Sequence, residues 1–203
     1  MGNLKIIVSV FIFFIILQSC YVSKSIERDV KVSLDENFTV KITNTGKSNF
    51  IKNYSEQEYK KAFIEGMKAE FVGSHIIIDN NNPEFNISIK ELTITESTIS
   101  ETITDINSPD NEKIFELTSL KLSSNGSTVK ANGEKKQTWW ADKSKDEKVT
   151  NSRLAGEIVT GDNKDKKNYR KKEFDKDIVH DLTLKCGRRS SVRIIKNITQ
   201  MIK

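Results

Sequence analysis

The sequence predicts an α+β fold: an antiparallel sheet of about four strands, with one internal helix and a C-terminal helix packed on it. Three observations carry this. Apolar and polar residues alternate over Phe38–Thr43 and again through the Thr- and Ile-rich stretch after Phe85, which is the period of half-buried strands. Between those stretches a capping signal at Ser55 opens a segment of helical period. The chain then closes on a second apolar stripe at helical spacing. With 203 residues the chain suits one domain, and two cysteines exclude a disulfide-stapled scaffold. Two histidines leave little from which to build a multi-histidine metal centre, and no metal or other cofactor is expected.

Phe38-Thr-Val-Lys-Ile-Thr43 reads as the first strand, and Asn44-Thr-Gly-Lys-Ser48 as a polar turn. Ser55 and Glu58 match a capping box, in which the serine side chain accepts from the backbone N–H three residues on and the glutamate reaches back. Tyr59, Phe63, Met67 and Phe71 recur at i, i+4, and Gly73 is a natural stop. After Asp79–Pro83, Phe85, Ile87 and Ile89 alternate, then Leu92 and Ile94 alternate one step out of phase. That shift predicts a bulge, or a change of covered face, at Lys90–Glu91. Asn107–Asn111 reads as a turn, Ile114–Leu122 as the return strand and Asn125-Gly126 as a type I′ hairpin turn. Thr128–Ala131 and Thr138–Ala141 are the candidates for a third strand of this region. Residues 142–173 are polar and charge-rich and read as an exposed excursion. Phe174, Ile178, Leu182 and Cys186, then Val192, Ile195, Ile198 and Ile202, predict one long C-terminal helix with a weak point at Gly187, or two helices.

The first residues are of another kind. Lys5 precedes an apolar block, Ile6 to Leu17, broken only by Ser9, and it runs into Leu17-Gln18-Ser19-Cys20. A helix of that block spans only about 18 Å, short of the ~30 Å hydrocarbon core, so a signal segment outranks a membrane span. Leu17-Gln18-Ser19-Cys20 resembles the lipobox of bacterial lipoprotein precursors. The resemblance covers residues 1–20. It implies cleavage by signal peptidase II between Ser19 and Cys20, diacylglycerol on the Cys20 thiol and an acyl chain such as palmitate on its new amine. Several chains anchor a protein durably where one holds only reversibly. The organisation expected is therefore a signal peptide over 1–19, a tether over 20–36 and a single domain over 37–203. Tyr21, where a retained inner-membrane lipoprotein has Asp, favours the outer membrane, and the lack of an acidic cluster after Cys20 favours its periplasmic face. With Cys20 acylated, Cys186 has no intramolecular partner and is expected to be buried.

Candidate chemistry is sparse. Thr45-Gly46-Lys47-Ser48 has the ending of a P-loop, but Lys41 stands where the first glycine is required. His180 lies between Asp177 and Asp181, and His75 precedes Ile76–Ile78, with no nucleophile elbow in the chain. A binding or adaptor protein of an envelope complex is therefore expected rather than an enzyme. A lipid or small-ligand carrier and an envelope hydrolase are the alternatives. Residues 164–203 hold 13 basic and 5 acidic side chains. At a bilayer outside the cytoplasm, such a patch points to anionic headgroups or an envelope protein partner rather than nucleic acid. Trp139 and Trp140 must point to opposite faces of a strand. With Arg188 and Arg189, they are the expected partner-contact residues.

Overall fold

The computed structural model describes residues 26–105, 108–134, 137–149 and 177–202. The lipobox with Ser19 and Cys20, most of the excursion, the lysines at 164–172 and Phe174 lie outside them. Among the described residues the elements are β1 (Val30–Asp35), β2 (Thr39–Asn44), a 3₁₀ turn (Phe50–Lys52), α1 (Glu56–Val72), β3 (Ile76–Ile78), β4 (Phe85–Asp105), β5 (Ser108–Lys130), β6 (Gln137–Val149) and α2 (Ile178–Ile202). The α+β class holds. The sheet is mixed and six-stranded, in the order β3-β1-β4-β5-β6, with β2 also on β4.

The departure from four antiparallel strands comes from β1 and β3, which pair parallel, as do β1 and β2 with β4. Val30–Asp35, read as part of a tether, thus lie within the sheet between β3 and β4, with Val30 and Val32 fully buried. Their alternation Val-Lys-Val-Ser-Leu is a strand signal, but the partners stand more than forty residues away. β1 and β2 occupy one edge of β4 in succession. β1 leaves at the Asp35–Ser88 pair and β2 takes over at Thr39–Glu91. The β4–β5 register slips between Ile89 and Glu91, at that handover. The bulge expected at Lys90 is therefore present, and it keeps Ile89 and Leu92 both on the covered face.

The hairpins fall elsewhere than expected. β4 and β5 reverse between Asp105 and Ser108, so Ser108–Asn111 belong to a strand rather than a turn. Asn125-Gly126 lies inside β5, where Gly126 sits opposite both Ile89 and Trp140. The chain leaves β5 at Ala131-Asn132-Gly133, and Gly133 has the left-handed φ of 80° that a Cβ disfavours. Residues 142–149, read as the start of the excursion, are strand β6 in register with β5. With 21 and 23 residues, β4 and β5 are about 70 Å long, and beyond the ends of β2 and β6 they continue as a two-stranded ribbon.

Both helices cover the face formed by Phe85, Ile87, Ile89, Leu92, Ile94, Leu120 and Leu122, all buried. α1 begins at Ser55 with the capping box complete: the Ser55 hydroxyl accepts from Glu58 N–H, and the Glu58 carboxylate accepts from Ser55 N–H at 2.6 Å. The Ser55 hydroxyl also lies 2.7 Å from Glu58 Oε2, and its donation there first, then that of the Ser55 N–H, holds the Glu58 carboxyl below its ordinary range. A lowered folded-state value means stability present at neutral pH and lost as the pH falls through the carboxylate range. Ser55→Ala is expected to lower stability by about 1 kcal/mol and to flatten the acid limb of the stability profile, read by urea unfolding between neutral pH and pH 4.

α2 is one helix of 25 residues, not interrupted at Gly187. Gly187 is instead a contact point. A Cβ there would lie 2.1 Å from the carbonyl oxygen of Phe63, and one on Gly66 would lie 2.2 Å from that of Leu184. The two helices therefore cross backbone to backbone, each offering a glycine. Gly73, beyond α1, has φ −83° and open space around it, so its lack of a Cβ is not what ends the helix. The left-handed residue there is His75, φ 55°.

Candidate binding surface

The two tryptophans divide as strand geometry requires. Trp140 is buried under α2, whereas Trp139 on the opposite face is 68% exposed. Trp140, expected at a partner contact, is thus a core residue, and Trp139 alone of the pair reaches solvent. Two polar clamps fix α2 along β6 on either side of Trp140. Arg189 Nε donates to Asp142 Oδ1 at 3.2 Å, and Asn197 Nδ2 donates to the Trp139 carbonyl at 3.3 Å. The Asp142 side chain is almost fully buried while that of Arg189 is half-exposed. Arg189 therefore serves first as the counter-charge of a buried carboxylate. Sequence reasoning missed Asp142, whose role depends on a partner 47 residues away.

The outward side of α2 is different. Lys185, Arg188, Arg189, Val192, Arg193 and Lys196 are all exposed and follow the i, i+3, i+4 spacing of one helix face. Val192, at 51% exposure, stands in the middle of these cations. The only acid on the helix is Asp181.

The inner side of α2 is lined by small residues. Ser190 and Ser124 share a hydrogen bond of 2.7 Å, and Ser191 donates to the Met67 carbonyl. Cys186 is fully buried beside Ser124, at 3.5 Å. Burial pushes its thiol up to about 11. The thiolate, which is the reactive form, is then negligible at neutral pH. Iodoacetamide at pH 8 is expected to leave Cys186 unlabelled in the folded domain and to modify it fully in urea. Along the same seam Thr128 Oγ1, Thr138 Oγ1 and Trp140 Nε1 are buried with no hydrogen-bond partner among the described residues.

The other candidates resolve into structural roles. In the Thr45–Ser48 turn the Gly46 N–H donates to Asn44 Oδ1 and the Lys47 N–H to Thr98 Oγ1. The amides that a phosphate cradle presents are thus already used. The turn also screens Glu96, a buried carboxylate that accepts from Ile51 N–H at 3.1 Å. His75 Nδ1 lies 3.1 Å from Asp29 Oδ1, both exposed. His180 packs on the Tyr54 ring, and the Tyr54 hydroxyl donates to Asp177. That hydroxyl is pushed up to about 12, first by its bond to the carboxylate. Asp177 is thereby tied to the 3₁₀ turn side of the molecule. Among the described residues no group of three or more His, Cys, Asp or Glu could hold a metal, and no helix is long and apolar enough to cross a membrane.

No family model matches the chain, and no curated protein sequence matches it. Among solved structures it is similar to a neuraminyllactose-binding hemagglutinin homolog from Helicobacter pylori, at 15% identity and a TM-score of 0.45, over 89% of this chain and 90% of that one. It is also similar to a PDZ domain protein from Parabacteroides distasonis, at 6% identity and a TM-score of 0.27, over 78% of this chain and 31% of that one. Likeness at these levels says nothing of what this chain binds.

Proposed function

We propose that the chain is a lipid-anchored lipoprotein of the bacterial cell envelope, held through Cys20 at the periplasmic face of the outer membrane. Its domain acts by binding, as an accessory or adaptor of an envelope complex, rather than by catalysis. The observation that carries the binding reading is the outward face of α2, a continuous row of exposed cations around an exposed valine, on a helix clamped rigidly to the sheet. Arg188 lies on this face; Trp139, exposed on the opposite face of the sheet, would be a separate contact. The anchor rests on the lipobox resemblance. Labelled palmitate is expected to enter the wild-type chain in a bacterial host and to be absent from Cys20→Ser; equal incorporation in both overturns the anchor. Recovery of a specific partner from solubilised membranes, reduced by Arg188→Ala or Trp139→Ala, tests the adaptor role; unchanged recovery in both variants overturns it.

A second reading, a small-ligand carrier with its site beneath α2, is favoured by the unpartnered polar atoms of Thr128, Thr138 and Trp140. Buried polar atoms ordinarily have partners, supplied by water or ligand where the protein offers none. Native mass spectrometry of the purified domain decides it: a bound small polar molecule supports the carrier, and the bare polypeptide mass removes it.

A further inference from the structure

Some cations of the sheet and α1 are matched to carboxylates, Arg28 to Glu84, Lys31 to Asp79, Lys41 to Glu91, Lys68 to Glu36 and Lys130 to Glu134. Others, such as Lys61 and Lys121, stand singly at the surface without an ion pair among the described residues; what sets α2 apart is that its unmatched cations share one face. On α2, Arg189 is matched to Asp142. Lys185, Arg188, Arg193 and Lys196 make no ion pair among the described residues. These four lie on one face, spread over eleven residues, so the row is about 16 Å long. Four uncompensated charges held this close repel one another, and an anion that bridges them relieves the repulsion.

The shape of the face selects the anion. The row runs along the exposed outward side of a single helix, a surface that lies against a partner rather than around a small ligand. It fits a plane. Val192 stands half-exposed at the centre of the row, where a side chain facing a bilayer meets the boundary between headgroups and acyl chains. The helix is held from behind by the Arg189–Asp142 pair, the Asn197–Trp139 bond and the glycine crossing with α1. The charges are therefore presented without an ordering cost on binding.

We infer that the outward face of α2 lies on a bilayer surface bearing anionic headgroups, with Lys185, Arg188, Arg193 and Lys196 against the phosphates and Val192 at the headgroup boundary. This deepens the binding reading above and rests on it. It names a lipid surface as the partner, and the domain would then lie on the membrane rather than stand off it.

The test uses residues 20–203 with Cys20→Ser, which keep every described element and cannot be acylated. Co-sedimentation is measured with vesicles of phosphatidylcholine alone and with about a third phosphatidylglycerol. Binding is expected to the anionic vesicles only and to weaken as salt rises. Each of Lys185→Gln, Arg188→Gln, Arg193→Gln and Lys196→Gln is expected to weaken partitioning about fivefold, and the fourfold variant to abolish it. Far-ultraviolet circular dichroism should be unchanged, because all four side chains are exposed. Lys68→Gln, on α1 and already paired, serves as the control and should bind as the parent does. Equal binding to both vesicles, binding to neither, or undiminished binding by the fourfold variant overturns the inference. Palmitate labelling of the full chain judges the anchor separately, so either idea can fail while the other stands.

Discussion

Gly187→Ala is expected to cost the domain about 3 kcal/mol, seen as a large fall in the urea midpoint with the slope preserved. On a solvated helix the same exchange stabilises by up to about 1 kcal/mol, because alanine loses less backbone freedom on folding. The sign reverses here because the new methyl would stand 2.1 Å from the Phe63 carbonyl oxygen, a backbone atom that no rotamer change can move aside. The helices must separate, and every contact between α1 and α2 loosens with them. Gly66→Ala is expected to match it, since its methyl would meet Leu184 O at 2.2 Å. The double variant should cost less than the sum, because the first methyl already makes room for the second. Gly73→Ala is the internal control: with φ −83° and its nearest foreign atom at 4.0 Å, it should be neutral or slightly stabilising. If Gly187→Ala behaves like Gly73→Ala, the close crossing is wrong.

Trp140→Ala is expected to be as damaging, at about 4 kcal/mol, while Trp139→Ala should stay within about 0.5 kcal/mol of the parent. The indole of Trp140 lies over Gly126, its register partner, so closely that a Cβ on that glycine would sit 2.4 Å from Cζ2. Removing the ring empties a space walled by the sheet on one side and α2 on the other. Fluorescence separates the neighbours independently. Acrylamide should quench Trp139 freely and Trp140 hardly at all, so Trp139→Phe should abolish the quenchable component. Quenching retained in Trp139→Phe would show that Trp140 is not enclosed.

These two sites show where the sequence was legible and where it was not. Signals that act within a few residues were readable. Ser55 and Glu58 cap α1 because both partners lie within one turn, and the phase change at Lys90 appears as a bulge because side-chain alternation is local. The opposite facing of Trp139 and Trp140 follows from strand geometry alone. Glycines misled, because the sequence shows a missing Cβ but not its use. At Asn125-Gly126 and Gly187 it was read as backbone freedom, yet at both the chain uses the space for a ring or another backbone. The turn sits at a second Asn-Gly pair, Asn132-Gly133. β1 was missed because its parallel partners are remote, and β3 because three residues carry no period. The candidate surface was half legible: exposed cations follow from helical spacing, but Arg189 and Trp140 were assigned outward by residue type. Asp142 and Gly126 turn them to other tasks.

The strand order has a consequence for biogenesis. A polypeptide emerging N-terminus first presents Val30–Asp35 long before either neighbour exists: Ile76–Ile78 arrive some forty residues later and Phe85–Ser88 later still. The second of the two covers over the greasy side, Ile178–Ile202, comes after all the strands. Part of the apolar face therefore stays uncovered on a nascent or translocating copy until that last rod is delivered, and a holding chaperone has that interval in which to act.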